Sequence, residues 1–461
     1  MRITFHGATP QVTGSAHLLE IGDSRILLDC GLFDSDRIDP ASQNRRLEFD
    51  PHTLDAVVVS HAHNDHIGRL PFLVKQGYKG DIYATPATAD ITSIMLRDSA
   101  RIQREDVRLA HVRHPNIEAP DPLFELFDVE WMVERLVRVP YEQPREIAPG
   151  VFLTCRDAGH VLGSAIVQID YEEEGRPRRF VFTGDLGRRN TGLLPDPAIV
   201  KDVDVLVCES TYGDKELEPY EKLMKQLHAI VARAIRLGGK IVIPAFSLGR
   251  TQRMVYCLQE LFATTKLRPI PIYVDSPLAT RLTEIHRDHP DAYTPEARAL
   301  MDRDPLYFGS KHVEYCMSFE DSRRLNYQRG PMVVISSSGM CEAGRIRHHL
   351  RHVVSDPDNA IVIVSYQAED TLGRKISEGV ERIQILDNWY DLNAAVYVLD
   401  GFSGHADRAD LAWWFEQTGG NIEHGFLVHG EPDPMDALVP VLQRFVKTPV
   451  RTPGLHDSFE V

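Results

Sequence analysis

Ser60-His61-Ala62-His63-Asn64-Asp65-His66-Ile67-Gly68 stands directly after the apolar run Ala56-Val57-Val58-Val59 and places four metal-binding side chains within six residues. Residues two apart on an extended turn point together, and the adjacent Asp65 and His66 can serve a second ion, so the spacing suits two zinc-class ions. A strand that delivers an acid and three imidazoles to its own end is what an open catalytic metal site needs. On this pattern the ions sit about 3.5–4 Å apart and activate a water for hydrolysis. Two ions need more than four ligands, so other parts of the chain must supply the rest.

Each further candidate also follows an apolar strand or a glycine turn. Ile26-Leu27-Leu28 runs into Asp29, a carboxylate placed to accept a hydrogen bond from a metal-bound imidazole and fix its tautomer. His160 lies in Ala158-Gly159-His160-Val161-Leu162-Gly163 and is a third ligand for the first ion. Phe180-Val181-Phe182-Thr183-Gly184 precedes Asp185, which is placed to bridge both ions. Val396 to Leu399 leads to Gly404-His405-Ala406, and Gly425 to Val428 ends on His429-Gly430. Residues so distant in sequence can converge at one sheet edge, because each leaves a buried strand at its end.

The chain as a whole has 461 residues, 43% of them hydrophobic, which exceeds one ordinary core and implies more than one domain. Lys and Arg total 51 against 67 Asp and Glu, a net charge of −16, which argues against coating nucleic acid through bulk charge but leaves room for a local basic groove. Six scattered cysteines, with no Cys-x-x-Cys pair, suit a reducing compartment. The amino-terminal residues lack the apolar core of a signal peptide and no run approaches a membrane span, so a cytoplasmic protein is expected, with no membrane partner. Between 87 and 140, helical patches such as Asp90 to Asp98 alternate with breaks at Pro115, Pro120 and Pro122, and no chemistry is assigned there.

From about residue 211 the pattern changes to strands alternating with helices, as in a parallel, helix-covered α/β sheet. Residues 220 to 237 show helical spacing of Leu223, Leu227, Ile230, Val231 and Ala234 and stop at Gly238-Gly239. Three turns in this region carry phosphate-handling chemistry: Ser247 with Arg250, then Ser336, Ser338 and Gly339 before Arg345, then Gln367, Thr371 and Arg374. Each leaves the carboxyl end of a strand, which points to one phosphate-lined crevice with Arg250, Arg345 and Arg374 in it.

With these residues assembled, the chain resembles the metallo-β-lactamase superfamily and, within it, the β-CASP nucleases, nearest to prokaryotic relatives of the eukaryotic pre-mRNA 3′-end-processing endonuclease subunit. His61-x-His63-x-Asp65-His66 with Asp29, His160 and Asp185 carries the superfamily likeness; Glu209 in Glu-Ser-Thr-Tyr-Gly, His405 in Phe-Ser-Gly-His-Ala-Asp and His429 in Val-His-Gly-Glu carry the β-CASP likeness. The resemblance implies an α/β fold in which an αββα sandwich, residues 1–210 and 396–461, is interrupted by a β-CASP parallel-sheet domain over 211–395. It further implies two Zn2+ ions, one on His61, His63 and His160, the other on Asp65, His66 and His429, with Asp185 between them. Glu209 and His405 form, by the same likeness, a pair in which the imidazole protonates the departing oxygen.

The implied activity is a zinc-dependent ribonuclease, an endonuclease by preference, acting on single-stranded RNA in processing or decay and leaving a 5′-phosphate and a 3′-hydroxyl. Phosphodiester hydrolysis requires an activated water, neutralisation of transition-state charge and an acid for the leaving alkoxide, and this donor set supplies all three. RNA-processing members of the family carry histidine where DNA-repair members carry an apolar residue, so His429 favours RNA. The competing expectations are a small-molecule hydrolase of the same superfamily, cleaving a thioester or lactone, and a DNA nuclease. A homodimer is left open.

Overall fold

The computed structural model describes every residue except 35–39, 114–120, 304–307, 309 and 310. The expected breaks at Pro115 and Pro120 lie outside the described residues. The chain divides into two compact units, one comprising Met1–Arg189, Asp196–Glu216 and His405–Val461, the other Asn190–Pro195 and Leu217–Gly404.

The first unit holds two sheets packed face to face. One runs, edge to edge, Ser458–Glu460, Arg2–Phe5, His17–Ile21, Ser24–Leu28, Ala56–Val58, Asp81–Ala84 and Leu136–Arg138. The other runs His424–Val428, Val205–Glu209, Arg176–Phe182, Ala165–Glu173, Val151–Asp157 and Arg145–Ala148. Alternate residues of both, among them Ile26, Leu28, Val58, Val167, Phe180, Val207 and Phe426, form one shared core. The opposite faces of the strands are apolar too, because helices cover them: Leu206, Val181 and Leu427 pack with Leu411 and Trp414 of helix Arg408–Thr418 and with Leu438 of helix Pro432–Leu442. The result is the expected αββα sandwich. Residues read as separate helical patches from 87 onward form one helix, Pro86–Arg113, of 28 residues.

The second unit is built on a six-stranded sheet in the order Val313–Tyr315, Ile272–Asp275, Met332–Ser336, Lys240–Pro244, Ala360–Ile363 and Ala395–Val398, parallel at every pairing. Helix Tyr220–Leu237 buries the five apolar residues picked out by their spacing and ends at Gly238, whose φ of 73° is the left-handed conformation of a helix stop. One boundary moves. The expected division at 395/396 would cut off Ala395–Val398, but this strand pairs in parallel with Ala360–Ile363 and belongs to the second unit, so the chain returns to the first at His405. Among the described residues no helix is long and apolar enough to cross a membrane.

Candidate metal centre

The site lies wholly within the first unit, at the strand ends. Strand Ala56–Val58 carries the chain to Ser60 and His61, and His63 is the residue before the short helix Asn64–Ile67, which turns Asp65 and His66 back toward the same point. His160 sits in a loop pinned by Ser164, whose hydroxyl oxygen accepts from the backbone N–H of His160 at 3.1 Å and of Val161 at 3.2 Å. Asp185 follows Gly184, where a Cβ would lie 2.7 Å from that of Ser60; only glycine lets the two strand ends approach so closely. Glu209 ends strand Val205–Glu209, and His429 follows strand His424–Val428 in the left-handed conformation, φ 51°.

Two donor sets result, and Asp185 lies between them. In the first, His61 Nε2 lies 3.0 Å from His63 Nδ1 and 3.3 Å from Asp185 Oδ2, while His160 Nε2 lies 3.3 Å from His63 Nδ1 and 3.5 Å from Asp185 Oδ2. In the second, His66 Nε2 lies 3.2 Å from His429 Nε2, 3.4 Å from Asp185 Oδ1 and 3.8 Å from Asp65 Oδ2, which is 3.3 Å from His429 Nε2. A tetrahedral ion with ligands at about 2.0–2.1 Å requires edges of about 3.3–3.4 Å, so the first set has the dimensions of a zinc-class cage, and Asp65, His66 and His429 form a slightly wider three-residue set that Asp185 Oδ1 reaches at His66. Asp185 is 2% exposed, and its Oδ1 makes no hydrogen bond. A buried carboxylate oxygen in that position needs a cation.

Charge and hydrogen bonding agree with this. Burial lowers the pKa of His61 well below its ordinary value, assisted by the neighbouring imidazoles, so its ring is an unprotonated donor. For His66, burial acts the same way, but Asp185, Asp29 and Asp65 outweigh it and push the pKa up to about 10, the mark of surplus negative charge around one ring. Asp29 is fully buried; its Oδ1 accepts from the Ser60 N–H at 2.8 Å, and its Oδ2 accepts from Ser60 Oγ at 2.9 Å and Ser15 Oγ at 3.1 Å. His66 Nδ1 lies 2.7 Å from the same Oδ2, which directs Nε2 into the donor set. Thr211 Oγ1 does this for His429, at 3.1 Å from Nδ1. Sequence reasoning missed Ser15, Ser60 and Thr211; the only available signal was that Ser60 and Thr211 fall inside the quoted motifs.

His405 lies beside both donor sets. Its Nδ1 is 3.2 and 3.3 Å from the two oxygens of Glu209, a buried carboxylate that also accepts the Leu186 N–H at 2.6 Å. Burial lowers the His405 pKa, but Glu209 and Asp185 reverse the balance and raise it to about 8. The His405 side chain is 20% exposed, whereas Glu209 is sealed.

The three turns expected to handle phosphate follow neighbouring strands of the second unit's sheet, and their side chains are placed unequally. Ser247 Oγ is 2.8 Å from Ser337 Oγ and 3.4 Å from Ser276 Oγ, a hydroxyl cluster. Ser338 Oγ accepts the Glu342 N–H at 3.3 Å, Gly339 packs under the Phe246 ring, and Gln367 donates to the Gly339 carbonyl. Arg250 opens helix Arg250–Thr264 and is partly buried, and Thr371 caps helix Leu372–Ser377. Ser336 is turned inward instead, fully buried and donating to the Asp275 carbonyl, because it is still a strand residue. Arg345 is held by the buried Asp275 carboxylate at 2.7 Å, and Arg374 pairs with Glu378 at 2.6 Å one helical turn away. The Arg345 guanidinium is thus engaged within the fold, whereas Arg374 forms an exposed pair on the helix surface.

Comparison with known proteins matches residues 18–183 to the metallo-beta-lactamase superfamily domain, 251–376 to the Beta-Casp domain and 389–453 to the Zn-dependent metallo-hydrolase RNA specificity domain. The chain is 37% identical over 440 residues to Ribonuclease TTHA0252 of Thermus thermophilus, covering 95% of each chain. It is 30% identical over 477 residues to Transcription termination factor FttA of Methanocaldococcus jannaschii, covering 100% of this chain and 72% of that one. A crystal structure of a protein of unknown function from Enterococcus faecalis shares the fold, with a TM-score of 0.59 at 13% identity over 99% of each chain.

Proposed function

The chain belongs to the β-CASP family of the metallo-β-lactamase superfamily, and from that premise we propose that it is a zinc-dependent ribonuclease that hydrolyses phosphodiester bonds of single-stranded RNA, an endonuclease by preference. The observation that carries this reading is one buried carboxylate, Asp185, whose Oδ2 lies 3.3 Å from His61 Nε2 and whose Oδ1 lies 3.4 Å from His66 Nε2, between two donor sets with the His405–Glu209 pair alongside. The ribonuclease and termination-factor names of the relatives and the RNA specificity match support RNA as substrate.

His61, His63, His160 and Asp185 would hold one ion, and Asp65, His66, His429 and Asp185 the other. Five imidazoles with carboxylates are a borderline donor set that suits zinc better than the hard cations. Bound there, the ions neutralise phosphodiester charge and make a water acidic enough to attack near neutral pH. The remaining work falls to the chain. Asp29 and Thr211 fix two ring orientations, so the donors need not reorganise. Glu209 keeps the His405 proton available and turns Nδ1 toward itself, which leaves Nε2 to protonate the departing oxygen. The six cysteines are all buried and unpaired, which supports the cytoplasm as its compartment.

The test incubates zinc-loaded protein with end-labelled linear and circular single-stranded RNA, and separately with a thioester and a lactone. Cleaved circles are expected. Attack on linear RNA alone would make the enzyme an exonuclease, and intact RNA with hydrolysed lactone or thioester would overturn the ribonuclease assignment.

A further inference from the structure

The second unit carries a cavity of ≈ 290 Å³ lined by residues of helices Phe319–Tyr327 and Ile346–Val353. In a chain of net charge −16, its ionic lining consists of Arg323 and Arg351, with no acidic residue. Neither guanidinium makes an ion pair among the described residues. The next residue along, Arg324, shows the contrast, because it is taken up by Glu314 at 2.7 Å. Two exposed aromatic rings flank the arginines, Phe319 at 61% and Tyr327 at 67% exposure, so that apolar faces and positive charge line one small cavity. His348 and His352 complete the wall, the latter edge-on to Tyr327 at 5.4 Å.

The wall is firmly mounted. His349, on the inner face of helix Ile346–Val353, lies 2.6 Å from one oxygen of the buried Asp275 carboxylate and 2.8 Å from Asn326 of the other helix. Arg345 grips the second oxygen at 2.7 Å. The arginines and rings are therefore presented from a fixed frame, and the volume is at the small end of the ~300–1,000 Å³ usual for ligand sites, enough for a nucleotide and too small for a folded peptide element.

We propose that this pocket is a further contact for single-stranded RNA, in which Phe319 and Tyr327 stack on bases and Arg323 and Arg351 hold the adjoining phosphates. The proposal rests on the ribonuclease reading above for its choice of RNA, and it gives an acidic chain a basic, aromatic surface outside the metal centre.

The test measures binding of a fluorescein-labelled oligouridine of about 12 nucleotides by anisotropy across a salt series, in chelator so that nothing is cut. Arg323→Gln with Arg351→Gln should weaken binding about tenfold or more and lower the magnitude of the log–log salt slope by about 1.4, two phosphate contacts on a single strand. Phe319→Ala with Tyr327→Ala should weaken it at least about fivefold with the slope unchanged. The paired Arg→Lys variant should keep most of the affinity, which separates lost charge from lost folding. With zinc restored, the Arg→Gln pair should raise KM on long RNA and leave kcat/KM on a dinucleotide unchanged. Native affinity and slope in the Arg→Gln pair would overturn the pocket and leave the nuclease standing. A chain that cuts no RNA yet loses oligouridine on these substitutions would overturn the nuclease and leave the pocket. Preference for polyglutamate over oligouridine would overturn RNA as occupant.

Discussion

His405 and Glu209 are 3.2 Å apart and separated by 196 positions in the chain, and their proximity sets a pH dependence. Glu209 raises the imidazole pKa, so cleavage that needs the proton should decline as pH rises through about 8. In Glu209→Gln the largest charge opposing burial is gone, with Asp185 and Asp65 left, so the alkaline limb should move to lower pH, read from kcat profiles of the two proteins; an unmoved limb would show that Glu209 does not tune this ring. His405→Ala should keep its zinc by elemental analysis and lose about 10²–10⁴-fold in rate. Asp29→Ala should do the reverse, weakening zinc binding about 10–100-fold in a competition titration because His66 is no longer oriented. The residues of the two donor sets were legible in the sequence because imidazole and carboxylate clustered at strand ends have few other uses. Ser60 and Thr211 were not, since hydroxyls occur throughout and only the fold shows which ring nitrogens they meet. Ser336 and Arg345 were misread for a related reason: composition names the residues of a turn and does not say which way they face.

Elements were legible where one face is apolar and the stop is marked, as in helix Tyr220–Leu237 with Gly238. Helix Pro86–Arg113 was not, because its charged residues interrupt the apolar stripe that would have joined its turns. The two features of helix Tyr220–Leu237 should contribute unequally to stability. Leu227 is fully buried, so Leu227→Ala should cost about 2–5 kcal/mol in urea unfolding. Gly238→Ala meets no atom within 4 Å and forfeits only backbone ease, about 1–2 kcal/mol. Equal losses would mean that the helix is held by its stop rather than its face.

At the scale of the molecule, both units bury neutral histidines that the unfolded chain would protonate. Burial pushes His6 down to about 4 and His17 and His286 down to about 3. Their folded pKa values lie below the unfolded value of about 6.5, so their contribution is complete above that pH and is lost as pH falls, by up to about 1.4 kcal/mol per pH unit for each group. Asp157, raised to about 7 by burial, opposes this between its unfolded value and 7, and His66 and His405, raised by their carboxylate neighbours, oppose it only above about 6.5, so the three depressed histidines prevail as pH falls further. The urea midpoint should therefore drop between about pH 6.5 and 5; a flat profile would refute the account. Metal removal is a second global test. Chelation should lower the melting temperature and zinc should restore it, since an ion bound only by the folded state stabilises it by mass action. His66 and His429 touch across 363 positions of sequence. On the ribosome, which releases the chain from its amino end, the first donor set can close once Asp185 has emerged, whereas the second waits for residue 429, so on the proposed two-ion reading a nascent chain lacks its second ion site until translation is almost finished.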